Sequence, residues 1–211
     1  TRTRNVYTVL VTGFEPYWNY PENSSWVVAQ EVATHDLAGV RIYTELMPVS
    51  FHQVAAALRR AIDQHTPDLI IMLGQSGGSD RVKLERIAIN MMDSKLPDNE
   101  GYLPDEEIIY ANGSSALFTN TAIKELRTTI EQLGIKVKIS NSSGLYVCNR
   151  RYYEALSVAQ SRPSTQVLFV HLPYYEGQPS AKPEKPTMPL DDMVRAIVAI
   201  IERTCGTHQA I

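Results

Sequence analysis

The 211-residue chain has only two cysteines, Cys148 and Cys205, too few for a disulfide framework, and no Cys-rich or His-rich cluster with the spacing of a structural metal site. It also lacks an excess of either charge. Twenty Lys and Arg against 23 Asp and Glu leave a formal net charge of −3 and a pI near 6.0, so nothing electrostatic points to nucleic acid or an anionic membrane as partner. No apolar run approaches the ~20 residues that span a bilayer, and the start, Thr1 to Asn5, is polar and leads directly into an apolar stretch. The expectation is a chain without signal peptide or membrane segment, working in a reducing, cytoplasmic setting. There is no internal repeat and no composition break, which predicts a single domain over residues 1–211.

What is present is an alternation of strand-like and helix-like segments. Val6 to Thr12 is β-branched and almost continuously apolar, as expected for a strand buried on both faces. Asn23-Ser24-Ser25 offers N-cap chemistry for a helix through Ala33. Val40 to Met47 reads as a strand, the spacing of Val54, Leu58, Ala61 and Ile62 as a helix ending before Pro67, and Asp68 to Gly74 as a central strand. Val82 to Met92 predicts an edge or crossing strand that contains an anomalous Glu85-Arg86 pair. Asp93 to Asn112, with three Gly or Pro breaks, is a long loop of the kind that covers a site or moves. A helix is expected over 115–133, a strand from Ile135 to Ser140, a helix that carries Cys148 and runs to about Gln160, a strand from Gln166 to His171 and a last amphipathic helix after Pro189. This order predicts the α/β class, a three-layer α/β/α sandwich around a mostly parallel mixed sheet.

Three side chains stand out for chemistry. Cys148 falls in a helix's first turn, after the glycine-containing turn Ser140 to Gly144; unpaired N–H groups and the helix dipole there favour a thiolate. His171 closes a central strand, so both groups open at the same sheet edge, whereas His35, His52, His65 and His208 read as surface or capping residues. A Cys–His pair needs a third group to orient the imidazole, and Glu85, a carboxylate inside an apolar segment, is the candidate. The loop Gly13 to Glu22 adds four aromatic rings beyond a strand's carboxyl end, where open α/β sheets bind ligands.

Four blocks in order carry a further inference: Thr12 to Tyr17; Gly74 to Gly78 with Glu85 to Asn90; Pro97 to Gly101; and Ser143 to Asn149 followed by His171 to Tyr174. Together they resemble the pyroglutamyl peptidase type I family (pyrrolidone carboxyl peptidases) of cysteine peptidases over nearly the whole chain. The resemblance implies a triad of Glu85, Cys148 and His171, a thioester intermediate and removal of an N-terminal pyroglutamyl residue from peptides, with no metal or organic cofactor. It further implies ring contacts from Phe14, Tyr17 and Tyr146 and main-chain contacts to the lactam from Gln75 and Leu96. Three departures from the family pattern are visible. Ser79 follows the Gly-Gly pair where many members carry arginine, Lys95 replaces an arginine expected near the oxyanion, and Tyr17-Trp18-Asn19 makes the entrance bulkier than the usual Phe-Gly-Gly. Two alternatives stay open at this level: a weakly active homologue that only binds pyroglutamyl peptides, and a nucleoside- or phosphate-binding enzyme of similar fold. A homo-oligomer through the last helix is also compatible.

Overall fold

The computed structural model describes residues 6–18, 20–179 and 182–209. Its main sheet contains β1 (Tyr7–Phe14), β2 (Val40–Met47), β3 (Leu69–Gln75), β4 (Val82–Glu85), β7 (Val137–Ser140) and β8 (Gln166–Leu172), in the spatial order β2-β1-β3-β8-β4-β7. The first four of these run parallel; β4 is antiparallel to β8 and parallel to β7. Strand side chains alternate between faces, which splits the apolar residues into two cores. Leu69, Ile71 and Leu73 of β3 face one core, and Ile70 and Met72 face the other. Helices α1 (Ser24–Ala33), α3 (Ile123–Gln132) and α5 (Leu190–Gln209) cover the first face, α2 (Val54–His65) and α4 (Val147–Gln160) the second. The result is the expected α/β/α sandwich, and no helix among the described residues is long and apolar enough to cross a membrane.

Three local expectations change. The stretch 82–92 is not one edge strand: β4 lies inside the sheet, and the chain leaves it at Arg86 for β5 (Ile87–Ile89), which pairs with β6 (Ala116–Phe118) in a separate two-stranded sheet. Arg86 makes the switch, its N–H donating to Ser140 of the main sheet and its carbonyl accepting from Thr119. The start of the predicted 115–133 helix is therefore strand. Leu117 packs into the core under α4, whereas Ile123, Leu126 and Ile130 pack into the opposite one, so the apolar spacing spans two layers and not one helix face. His65 is not a surface residue either, since its ring stacks on Tyr43 at 4.3 Å and meets Glu45 at 2.8 Å.

The long loop is pinned. Buried Asp98 accepts from the N–H groups of Phe51, Glu100 and Tyr102 at 2.9–3.0 Å, and β9 (Tyr174–Tyr175) pairs with β10 (Thr187–Met188) to tie down the later proline-rich segment. Further along, Glu154 of α4 has a fully buried side chain held by Arg150 at 2.9 Å, by Arg59 of α2 and by the Tyr110 hydroxyl at 2.6 Å. Burial opposes the charge on Glu154, but these three donors outweigh it and hold its carboxyl below the ordinary 4.5. That contribution is present above pH ~4.5 and is lost as pH falls through the lowered value. Glu154→Ala leaves Arg150 buried without its partner and is expected to cost about 3–5 kcal/mol of stability, measured by urea denaturation at pH 7.

Candidate active site

The site begins where β3 and β8 end. Gly74 and His171 are register partners on these neighbouring strands, and the missing side chain of Gly74 makes room for the Cys148 sulfur. A Cβ built on Gly74 would stand 3.0 Å from Cys148 Sγ and 2.8 Å from the Phe169 ring. Cys148 is the second residue of α4. That helix starts at an extended Tyr146 with no side-chain cap, so the N–H groups that a helix leaves unpaired open at the site. Buried Asn149 fixes the helix start: its amide donates to the carbonyls of Ile89 and Met91 and accepts from the Ile89 N–H.

His171 Nδ1 lies 2.8 Å from Glu85 Oε1, and Glu85 is only 1% exposed. The antiparallel pairing of β4 and β8 creates this contact. Tyr152 of α4 supports it by donating its hydroxyl to the Glu85 carbonyl at 2.8 Å. Burial opposes an imidazolium, but the charge and hydrogen bond of Cys148, followed by the hydrogen bond and charge of Glu85, outweigh it and push His171 up to about 9. The arrangement therefore favours a charged imidazole facing the sulfur with its other nitrogen on a carboxylate. Chemically, that is a nucleophile, a proton donor and an orienting group.

Cys148 and His171 line a cavity of about 150 Å³ together with Phe14, Tyr17, Trp18, Gln75 and Tyr146. A volume of that order holds a ring the size of benzene. Phe14 is buried at the end of β1, and Tyr17 packs edge-on against Trp18 at 4.6 Å. Burial is the main reason that Tyr17 and Tyr146 are both pushed up to about 12, so these walls are neutral phenols. Gln75 Oε1 accepts from the Ser24 N–H at 2.9 Å and from Gln178 at 2.7 Å, which fixes the amide orientation, and a hydrogen bond from Gln75 to Tyr17 partly offsets the effect of burial on that phenol. Trp18, at φ 54°, donates toward the Pro97 carbonyl at 3.4 Å, and the Tyr146 hydroxyl donates to the same oxygen at 2.9 Å. The bulky entrance is thereby locked to the 93–112 loop. Asn19 lies outside the described residues.

Lys95 and Leu96 are placed differently from the other sequence candidates. Both are exposed and neither lines the cavity, and the Ser94 hydroxyl bonds both backbone polar groups of Leu96 (3.1 Å to its N, 2.6 Å to its O). The other cysteine, Cys205 on α5, is a buried member of the core on the opposite face of the sheet.

Sequence reasoning missed Arg151. It is completely buried beneath the site, with its guanidinium 3.8 Å from the Phe14 ring centre and one hydrogen bond of 2.7 Å to the Leu73 carbonyl. Its Nε and Nη1 have no partner. Burial lowers it to about 9, and the charge of Cys148, one helical turn earlier, works against that fall. An Arg-Arg pair on a helix normally reads as a solvated face, and only an apolar period interrupted at 151 hinted otherwise.

The family described as pyroglutamyl peptidase matches residues 7–206. The chain is 37% identical over 195 residues to a pyrrolidone-carboxylate peptidase of Thermococcus onnurineus, covering 92% of this chain and 96% of that relative. Its fold is similar to that of the pyroglutamyl peptidase I of Bacillus amyloliquefaciens, at TM-score 0.87 and 33% identity over 92% of each chain. It also resembles the pyrrolidone carboxyl peptidase of Thermococcus litoralis, at TM-score 0.91 and 27% identity over 97% of this chain and 96% of that one.

Because a methyl group at position 74 must displace the sulfur or the Phe169 ring, Gly74→Ala is expected to slow both alkylation of Cys148 and substrate turnover, the latter on the order of 10²-fold. Circular dichroism should stay native. Unchanged rates would show that the sulfur is not pinned against β3.

Proposed function

The chain belongs to the pyroglutamyl peptidase family, and we infer from that premise and from the geometry at Cys148 that it hydrolyses the amide following an N-terminal pyroglutamyl residue. It is a cysteine peptidase of the pyroglutamyl peptidase I type. The observation that carries the residue assignment is the meeting of Cys148 and a Glu85-bound His171 in one ring-sized cavity.

The reading of the steps follows from these positions. The Cys148 thiolate attacks the pyroglutamyl carbonyl carbon, and the resulting oxyanion faces the uncapped N–H groups at the start of α4. As the tetrahedral intermediate collapses, the C–N bond breaks and the leaving nitrogen takes a proton from His171, which leaves a thioester on Cys148. His171, now neutral, removes a proton from water as that water attacks the thioester, and pyroglutamate departs as the thiolate–imidazolium pair is restored. Glu85 keeps the Nδ1 proton of His171 in place throughout, so that the other ring nitrogen handles both transfers.

The uncharged lactam fits neutral walls. Phe14, Tyr17 and Tyr146 supply flat surfaces, and Gln75, which lines the same cavity, brings an amide donor for the ring carbonyl. A prolyl peptide lacks that carbonyl and leaves the donor unpaired. Lys95 is assigned no charge-supporting role in this scheme, since it is exposed and stands outside the cavity lining. One domain spanning the chain is supported by the single sheet that both helical layers share. A reducing, cytoplasmic setting suits a reaction that needs a free thiol, and pyroglutamylated peptides are the assigned partners.

The deciding assay compares release of a coumarin amine from pyroglutamyl and prolyl amides. Turnover of the first is expected, with the second lower by roughly 10⁴-fold, and Cys148→Ala should abolish it. A folded, reduced enzyme without pyroglutamyl turnover, or a Cys148→Ala variant that keeps it, would overturn the reading.

A second expectation concerns pH. An imidazolium held at about 9 is present below that pH and lost above it, so activity should decline as pH rises through about 9. With the Cys148 charge removed, burial is left opposed only by Glu85. The His171 midpoint followed by NMR in Cys148→Ala should then move down toward its ordinary 6.5. A midpoint indifferent to Cys148 would exclude the ion pair.

A further inference from the structure

The functional groups are laid out in order across the sheet. The ring-binding cavity lies over β1 and β3, Cys148 stands above Gly74 of β3, and His171 follows on β8. The register then continues: His171 pairs with Lys83 on β4, and Lys83 pairs with Lys138 on β7. Val82, Leu84, Val137 and Ile139 turn to the opposite core, so strand alternation puts Lys83 and Lys138 on the face that carries Cys148 and His171. Two lysines side by side on neighbouring strands, about 4.8 Å apart, repel each other.

The one carboxylate on the same face of β4, Glu85, is engaged by His171. Among the described residues no carboxylate lies within ion-pair distance of Lys83 or Lys138, and the nearest polar partner of Lys83 Nζ is the Ser76 hydroxyl at 3.4 Å. Asp80, the carboxylate of the adjoining loop, is taken by Arg81 through two contacts of 2.7 and 3.1 Å and by Lys136 at 3.8 Å. The two lysines line a concave surface of about 330 Å³ together with the loop Ser76 to Arg81. Gly78, at φ 99°, shapes that loop, and Lys185 overlies it, with Nζ 3.9 Å from where a Cβ would stand. Gly77 admits the Tyr174 ring, whose hydroxyl would lie 2.3 Å from an added Cβ.

We propose that Lys83 and Lys138 form an anion subsite for the leaving peptide, one that selects a carboxylate within the first two residues after the pyroglutamyl group. The inference rests on the peptidase reading above. His171 must stand beside the scissile nitrogen to protonate it, with the lactam on the β1–β3 side. The chain beyond the bond therefore runs past His171 toward β4 and β7. An extended residue advances about 3.3–3.6 Å, and Lys83 and Lys138 lie one and two strands from His171, about 5 and 10 Å. A carboxylate one or two residues beyond the cut matches that span. It comes either from the free C-terminus of a short peptide or from an acidic side chain.

The test uses Cys148→Ala, which cannot turn substrate over, and measures binding by calorimetry. The probes are pyroglutamyl-Ala-Ala as free acid, the same peptide as its C-terminal amide, and pyroglutamyl-Glu-Ala amide. The free acid, the acidic-side-chain peptide or both are expected to bind about tenfold tighter than the neutral amide. The preference should shrink in 0.5 M salt and vanish when Lys83→Gln and Lys138→Gln are added. Folding of the added variants is checked by urea denaturation, where loss of the repulsion predicts stability at least equal to that of the parent. Equal binding of all three probes, or a preference that survives both lysine changes, would overturn the subsite. Turnover of the pyroglutamyl coumarin amide by the unaltered enzyme reports separately on the peptidase reading.

Discussion

The pairing of β4 against β8 is the constraint on which the site depends. In a sheet whose other half is parallel, this one reversal brings a buried carboxylate against the histidine of the neighbouring strand. An ionised Glu85 in the core would be expensive alone. Its contact with His171 relieves that cost and at the same time sets which imidazole nitrogen faces Cys148. Structural necessity and chemical function are thus met by one 2.8 Å contact. The same strand carries Lys83 two residues earlier, on the same face, so the reversal also determines what lies beyond the histidine.

The helix bearing Cys148 is more charged within the protein than its position suggests. Glu154 is compensated by two arginines and a tyrosine, and it joins α4 to α2 and to the 93–112 loop. Arg151 has no such compensation, resting instead on aromatic faces and one carbonyl. The floor under Phe14 is therefore a planar cation, which adds rigidity to a wall of the ring-sized cavity and a positive charge one turn from Cys148.

The pocket's shape depends on bonds between loops. Pro97's carbonyl receives both Trp18 and Tyr146, Asp98 ties the same segment to Phe51, and Asn99 reaches the first loop through Glu15 and Pro16. These contacts join residues some 50 to 85 positions apart. They turn two irregular segments into fixed walls, which a neutral ring with few polar handles requires for recognition.

What the amino-acid sequence determined by itself was the set of elements and the chemical types. Apolar runs of period 2 and 3.6 mark most strands and helices, because burial of one face is a local property. The ordered blocks around Phe14, Glu85, Pro97, Cys148 and His171 carried the site before any geometry. Tertiary structure decided the rest. The segment 82–92 divides at Arg86 because its two halves find partners in different sheets, and Leu117 is strand because it packs in the layer opposite α3. Lys95 and Leu96 are exposed, with the Leu96 backbone bonded by Ser94, while Arg151 is buried because its helix face meets Phe14. The alignment of His171, Lys83 and Lys138 is likewise invisible in one dimension, since strand register joins residues 55 and 88 positions apart by hydrogen bonds that leave no pattern in the intervening chain.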